Sequence, residues 1–183
     1  MLQAEFFDRL RFRLAESSVG DTALRNQGAP RVIAPARLFL KGLELSSFAL
    51  SQESRFLDRL DAATDTLQRA FPPRCSALGT TRKALNPFLR DVVYYVDVAS
   101  HYRLEAIRGW LEVPLDSYVA RGLRRYPDLS DGLPSWRAIK FLTPQTSEKY
   151  QRVASLVARK EGLARVDLDV IFWRADSVRP TAR

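Results

Sequence analysis

Residues 84–96 read Ala84-Leu85-Asn86-Pro87-Phe88-Leu89-Arg90-Asp91-Val92-Val93-Tyr94-Tyr95-Val96. The last five are β-branched or aromatic, a composition that suits a strand. A half-buried strand, however, alternates inside and outside every second residue. Here Ala84, Leu85, Phe88, Leu89, Val92, Val93 and Val96 return at intervals of three and four, the repeat of a helix face. Spacing decides against composition, so the stretch predicts a long helix and, with it, an all-α chain.

The segments on either side read the same way. Between Gln52 and Phe71, the residues Phe56, Leu57, Leu60, Ala63, Leu67 and Ala70 form one apolar stripe, and Pro72-Pro73 ends it. Phe6, Phe7, Leu10 and Leu14 give a helix from Leu2 to Ser17; residues 20–34 read as a loop, and Pro35 as the first residue of a second helix. Downstream, residues 103–111 predict a short helix and Asp116 to Arg125 another, while 126–136 are turn chemistry. Thr143-Pro144 opens a helix to about Glu161 with Gly162 as its stop. Residues 166–173 fit strand and helix equally. The expected architecture is an all-α bundle of seven to nine helices in one domain over 1–175, with room for two closely packed lobes, and a basic tail at 176–183.

The chain has 183 residues, 46% of them hydrophobic, the make-up of a folded protein with a continuous core. No apolar run is long enough to cross a bilayer, and the opening residues lack the pattern of a signal peptide, which points to the cytoplasm and away from membranes. One cysteine, Cys75, and one histidine, His101, exclude an internal disulfide and a zinc or iron–sulfur site built from such ligands, so no metal or cofactor is expected. Chemistry is left to carboxylates, hydroxyls and lysines, or to an external metal ion. Twenty-nine basic residues against 21 acidic ones leave a net charge of +8, an excess that attracts phosphate backbones. Only five of the 29 are lysines, and so strong an arginine bias also arises from genome composition alone. No acidic run offsets the arginines, which favours a nucleic-acid partner.

Two segments concentrate the chemistry. In Gly79-Thr80-Thr81-Arg82-Lys83-Ala84-Leu85-Asn86, a glycine turn and a hydroxyl cap precede the apolar stripe, placing Lys83 in the first turn of a helix. There the helix dipole and partial burial both favour the neutral, nucleophilic amine; the alternative is an outward lysine paired with a carboxylate or phosphate. In Val113-Pro114-Leu115-Asp116-Ser117-Tyr118-Val119, Asp116 precedes a helix whose N–H groups hold its carboxylate ionised. Most aspartates at such positions only cap.

Together, G-x-x-x-K-A-L-N-x-F-L-R and P-L-D-S-Y-V-x-R-G-L resemble the helix-hairpin-helix DNA glycosylase superfamily of the endonuclease III and 8-oxoguanine glycosylase type, over residues 78–125. The resemblance implies an all-α fold that bends DNA, flips a nucleotide between two helical subdomains and breaks the bond from base to sugar. It matches Lys83 to the amine that attacks the sugar in members with lyase activity, and Asp116 to the aspartate that stabilises the sugar cation or activates the attacking group. Several features depart from the pattern. Ala77-Leu78-Gly79-Thr80-Thr81 stands where the family has L-P-G-x-G, Tyr118 replaces a histidine, Pro87 interrupts the helix, and residues 97–112 read as an insertion. Gly79 and Thr80 fall where a hairpin would meet phosphate, and Arg82, Arg121, Arg124 and Arg125 flank the motifs as further backbone contacts. Tyr94, Tyr95, Trp110, Tyr118 and Trp136 are candidates to stack on a flipped base, against core packing as the alternative for each.

Three readings follow: a DNA base-excision glycosylase, with or without lyase activity; a non-catalytic helical nucleic-acid-binding protein; and a protein–protein interaction module.

Overall fold

The computed structural model describes residues 2–20, 24, 31–75 and 77–173. The basic tail and most of the 20–34 loop lie outside these residues. Among them there are nine α-helices and no strand: α1 (Leu2–Ser18), α2 (Ile33–Gly42), α3 (Glu53–Ala70), α4 (Leu78–Tyr94), α5 (Val96–Tyr102), α6 (Ser117–Leu123), α7 (Pro127–Ser130), α8 (Pro144–Glu161) and α9 (Leu168–Phe172). Within the described residues, no helix is long and apolar enough to cross a membrane.

The helix expected at 84–96 is longer at its start and broken near its end. It begins at Leu78 and runs through Pro87 to Tyr94; Tyr95 then adopts an extended conformation (φ −81°, ψ 93°) and α5 begins at Val96. Val92 and Val93 are buried, so packing overrides the low helix propensity of this stretch. The expected short helix at 103–111 is a 3-10 turn over Glu105–Gly109. With α5 it occupies the segment read as an insertion. The turn at 126–136 contains a single helical turn, α7, because Pro127 sits at its start, where a missing N–H costs nothing. Residues 165–172 resolve as a 3-10 turn followed by α9. Helix α2 opens two residues before Pro35. Helix α8 follows its signals: Thr143 Oγ1 accepts the Thr146 N–H at 3.2 Å, Pro144 is the first helical residue, and Gly162 ends the helix at φ 69°.

Two clusters of buried side chains divide the described interior at Glu112. The first, around Phe48, Phe56, Leu60, Leu85, Phe88 and Leu89, draws on residues 7–111 together with Val166. The second, around Val119, Leu123, Tyr150, Val157 and Phe172, draws on residues 113–172. Helix α4 packs against α1, α2, α3 and α5 on the first side and against the 3-10 turn Ile139–Phe141 on the second. Glycines set the close approaches. A β-carbon on Gly79 would collide with the Ile139 carbonyl oxygen, and one on Gly122 with the ring of Phe172.

The connection between the clusters is fastened at two points. Arg165 donates from Nη2 to the Trp110 carbonyl at 2.6 Å and from Nε to the Leu111 carbonyl at 3.0 Å. Its half-buried guanidinium has its pKa pushed down by desolvation. The buried Gln151 amide donates to the Val113 carbonyl at 2.9 Å and accepts the Val113 N–H at 3.1 Å. Both fastenings lie immediately upstream of Asp116.

Candidate functional site

Asp116 caps α6. Its Oδ1 accepts the N–H groups of Tyr118 at 2.8 Å and Val119 at 2.9 Å, using donors that the start of a helix leaves without partners. Its Oδ2 accepts from Lys83 Nζ at 2.9 Å. The two side chains retain 18% and 11% of their accessibility, so the pair is largely shielded yet reached from one side.

That side is a cavity of about 530 Å³ where the two clusters meet. Helix α4 supplies Lys83, Pro87, Arg90, Asp91 and Tyr94, at offsets of four, seven, eight and eleven, one face of a helix. Ser17, Ser18 and Gly20 line it from the end of α1, Asp116 and Tyr118 from α6, and Asp169, Val170 and Trp173 from α9 and its exit. Pro87 has no N–H to give the Lys83 carbonyl, which loses its usual helical donor at the cavity wall.

Arg90 ties the walls together. Its Nε and Nη2 donate to Asp91 Oδ1 at 2.9 and 2.7 Å, and its Nη1 donates to Asp169 Oδ2. Burial pushes the Asp91 carboxyl pKa up, with Arg90 pulling the other way. Tyr94 donates to Asp167 Oδ1 at 2.7 Å, and Arg108 grips the same carboxylate at 3.1 Å. Burial, then the adjoining carboxylate, push the Tyr94 phenol pKa well up. Within the cavity two cations, Lys83 and Arg90, face three carboxylates, Asp91, Asp116 and Asp169.

The structure thus brings Lys83, Asp116, Tyr94 and Tyr118 of the sequence candidates into one cavity and leaves the others out. Trp110 packs on Phe56, with ring centroids 6.2 Å apart, in the first cluster. Tyr95 is exposed and does not line the cavity. Trp136 stands edge-to-face on Tyr150 beside a different hollow. Gly79 and Thr80 lie inside the first turn of α4 and are buried, so no hairpin meets phosphate there. Lys83 therefore falls in the second helical turn, not the first, and the dipole argument for its amine lapses. Thr81 caps nothing; its hydroxyl donates back to the Ala77 carbonyl at 3.2 Å. Arg82 is held between Asp61 and Glu112 with 11% of its side chain exposed, which spends the charge expected to meet phosphate. Arg121, Arg124 and Arg125 are exposed at the end of α6.

Arg90 closes the first motif and Asp91 follows it, yet neither is a site candidate in the sequence. Their one legible signal is position, seven and eight residues beyond Lys83 on the same helix. Among the described residues, no group of histidine, cysteine and carboxylate side chains is placed to hold a metal ion. No protein-family model, curated protein or solved structure matches the chain.

Proposed function

We propose that the protein removes a base from DNA, with Lys83 as nucleophile and Asp116 as its proton partner and electrostatic counterweight. The observation that carries this reading is the 2.9 Å amine–carboxylate pair at an open cavity between two helical clusters. It joins two motifs 33 residues apart in sequence (116 − 83) whose resemblance to one DNA glycosylase superfamily supports the same chemistry. A cavity of about 530 Å³ suits one extruded nucleoside.

The sequence of steps needs no further reagent. Lys83 passes a proton to Asp116 Oδ2, and the freed amine attacks the sugar carbon as the bond to the base breaks. The base leaves with the electron pair and takes up a proton from water. The hydroxide left from that water takes one proton from the sugar-bound nitrogen, while Asp116, neutral at this stage and anchored by two N–H groups, holds the proton from Lys83. Once it gives that proton up, its fixed anion faces the positive imine. Return of the proton to the ring oxygen opens the sugar and leaves an imine on Lys83. Elimination of the 3′ phosphate from that imine would cleave the strand.

The test is incubation with oligonucleotides carrying a panel of damaged or modified bases, with borohydride present to reduce an imine. The expected result is a covalent adduct that disappears in Lys83→Gln, with excision lost in Asp116→Asn. Abasic product without adduct, still lost in Asp116→Asn, would assign a water nucleophile to the same cavity. Tight DNA binding with neither product nor adduct across the panel would reduce the pair to a bridge between α4 and α6, a role its low exposure also suits.

A further inference from the structure

Helix α6 has a second hollow on its other side. Ser117, Ala120, Arg121 and Arg124, at offsets of three, four and seven, form one stripe, and Ser135 and Trp136 close a groove of about 290 Å³ against it. No carboxylate lines it. Its aromatic wall is fixed. Trp136 meets Tyr150 edge-to-face at 5.4 Å, the Tyr150 hydroxyl donates to the Pro134 carbonyl at 2.7 Å, and Arg124 Nη2 donates to that same carbonyl at 2.6 Å and to that of Leu133 at 3.0 Å. Five N–H donors sit on a guanidinium, so these two bonds leave Arg124 able to bind a ligand as well. Arg121 stacks over Tyr118 at 4.9 Å, and Tyr118 lines the cavity on the opposite side.

We propose that this groove holds the DNA strand next to the extruded nucleotide, Arg121 and Arg124 on a phosphodiester and Trp136 against the adjoining base. A fixed aromatic face beside unpaired cations is the arrangement that binds unstacked strands regardless of sequence. The groove also takes over the backbone contact that the buried Gly79 and the ion-paired Arg82 do not make. Only one helix, about 10 Å across with its side chains, separates it from Lys83 and Asp116, so one strand draped over α6 reaches both. The proposal rests on the base-excision reading for what lies in the cavity, but its own readout is binding.

The experiment measures the affinity of a fluorescent single-stranded oligodeoxynucleotide carrying a stable abasic analogue, across a salt series, for the full chain and four variants. Arg121→Gln should weaken binding and reduce the slope of log affinity against log salt by about 0.7 to 1, one phosphate contact. Trp136→Leu should weaken it about five- to tenfold with the slope unchanged, as loss of one stacked base does. Ser135→Asp, at an exposed position, brings repulsion without deleting a contact and should weaken binding even where Arg124 variants disturb the loop. Lys83→Gln joins the series to report the cavity's own share of binding, and its borohydride adduct, which the abasic analogue cannot form, is scored on the damaged-base panel and should be lost. If the first three variants all bind as the parent does, the groove proposal is wrong, whether or not excision occurs. If they weaken as described and no base is ever released, the groove stands and the excision reading falls.

Discussion

The two hollows on either side of α6 handle charge in opposite ways. In the cavity every cation is answered: Lys83 by Asp116, and Arg90 by both Asp91 and Asp169. In the groove no lining carboxylate answers Arg121 or Arg124. Paired, shielded charges are held in place and feel little of the bulk salt, whereas exposed cations act at a distance and are screened within about 10 Å at moderate ionic strength. The first arrangement suits chemistry at a fixed point and the second suits capture of a polyanion. A net charge of +8 would by itself have placed attraction everywhere. Across α6 the structure answers it on one side and leaves it without a lining carboxylate on the other.

The largest expected contrast is in turnover. Asp116→Asn should reduce excision about 10²- to 10³-fold, the usual effect of removing one well-placed electrostatic group, with the salt dependence of binding unchanged. Single-turnover assays beside the salt series check both halves. A fall in the salt slope would mean that the cavity also serves as a phosphate site. Gly122→Ala strikes the wall the hollows share. The added methyl meets the Phe172 ring, which should cost about 2 kcal/mol by overpacking and lower the melting temperature by roughly 4–8 °C. Both binding and excision should suffer together.

Gln151→Leu separates them. It leaves the buried N–H and carbonyl of Val113 without the amide, at a cost of about 1–3 kcal/mol for each group left unpaired, and loosens the approach to Asp116. Excision should fall several-fold more than affinity, and Gln151→Glu, which keeps the acceptor, should recover part of the stability. The smallest effect is at Asp91. Its folded carboxyl pKa lies above the usual 3.8, so the native state holds this proton more tightly than the unfolded chain does. Stability from this group is therefore full below the ordinary carboxylate value and is lost as pH rises through the raised folded value. Asp91→Asn should flatten that decline in denaturant midpoints across the acidic range. An unchanged slope would remove Asp91 as its cause.

The helices were legible because most carry their own stop signals. Thr143-Pro144 and Gly162 bound α8 in the sequence as they do in the structure, and Asp116 reads as a cap before any contact is known. Gly79-Thr80-Thr81 was misread for a physical reason. A glycine before two hydroxyls looks like a turn and a cap, but this glycine is there because the Ile139 carbonyl, sixty residues later, lies against it. Nothing local encodes that approach. The same applies to Trp136, whose rigid ring looked fit for the base that reacts and lies instead beside the other hollow. Arg90 and Asp91 went unnoticed because one face of α4 is shared by core and cavity, and only the arrival of α9 turns Arg90 into a bridge.

Residues 111–115, between the 3-10 turn and α6, lie outside any helix. With no strand among the described residues, such a segment has no neighbour to hold it, yet Val113 is paired as if it had one. A single side-chain amide offers the donor and the acceptor that a second strand would, and it does so from a helix already packed in place. The consequence is rigidity without an open edge. The two backbone groups of Val113 are thereby closed to another molecule, which lowers the aggregation hazard that accompanies an unpaired strand.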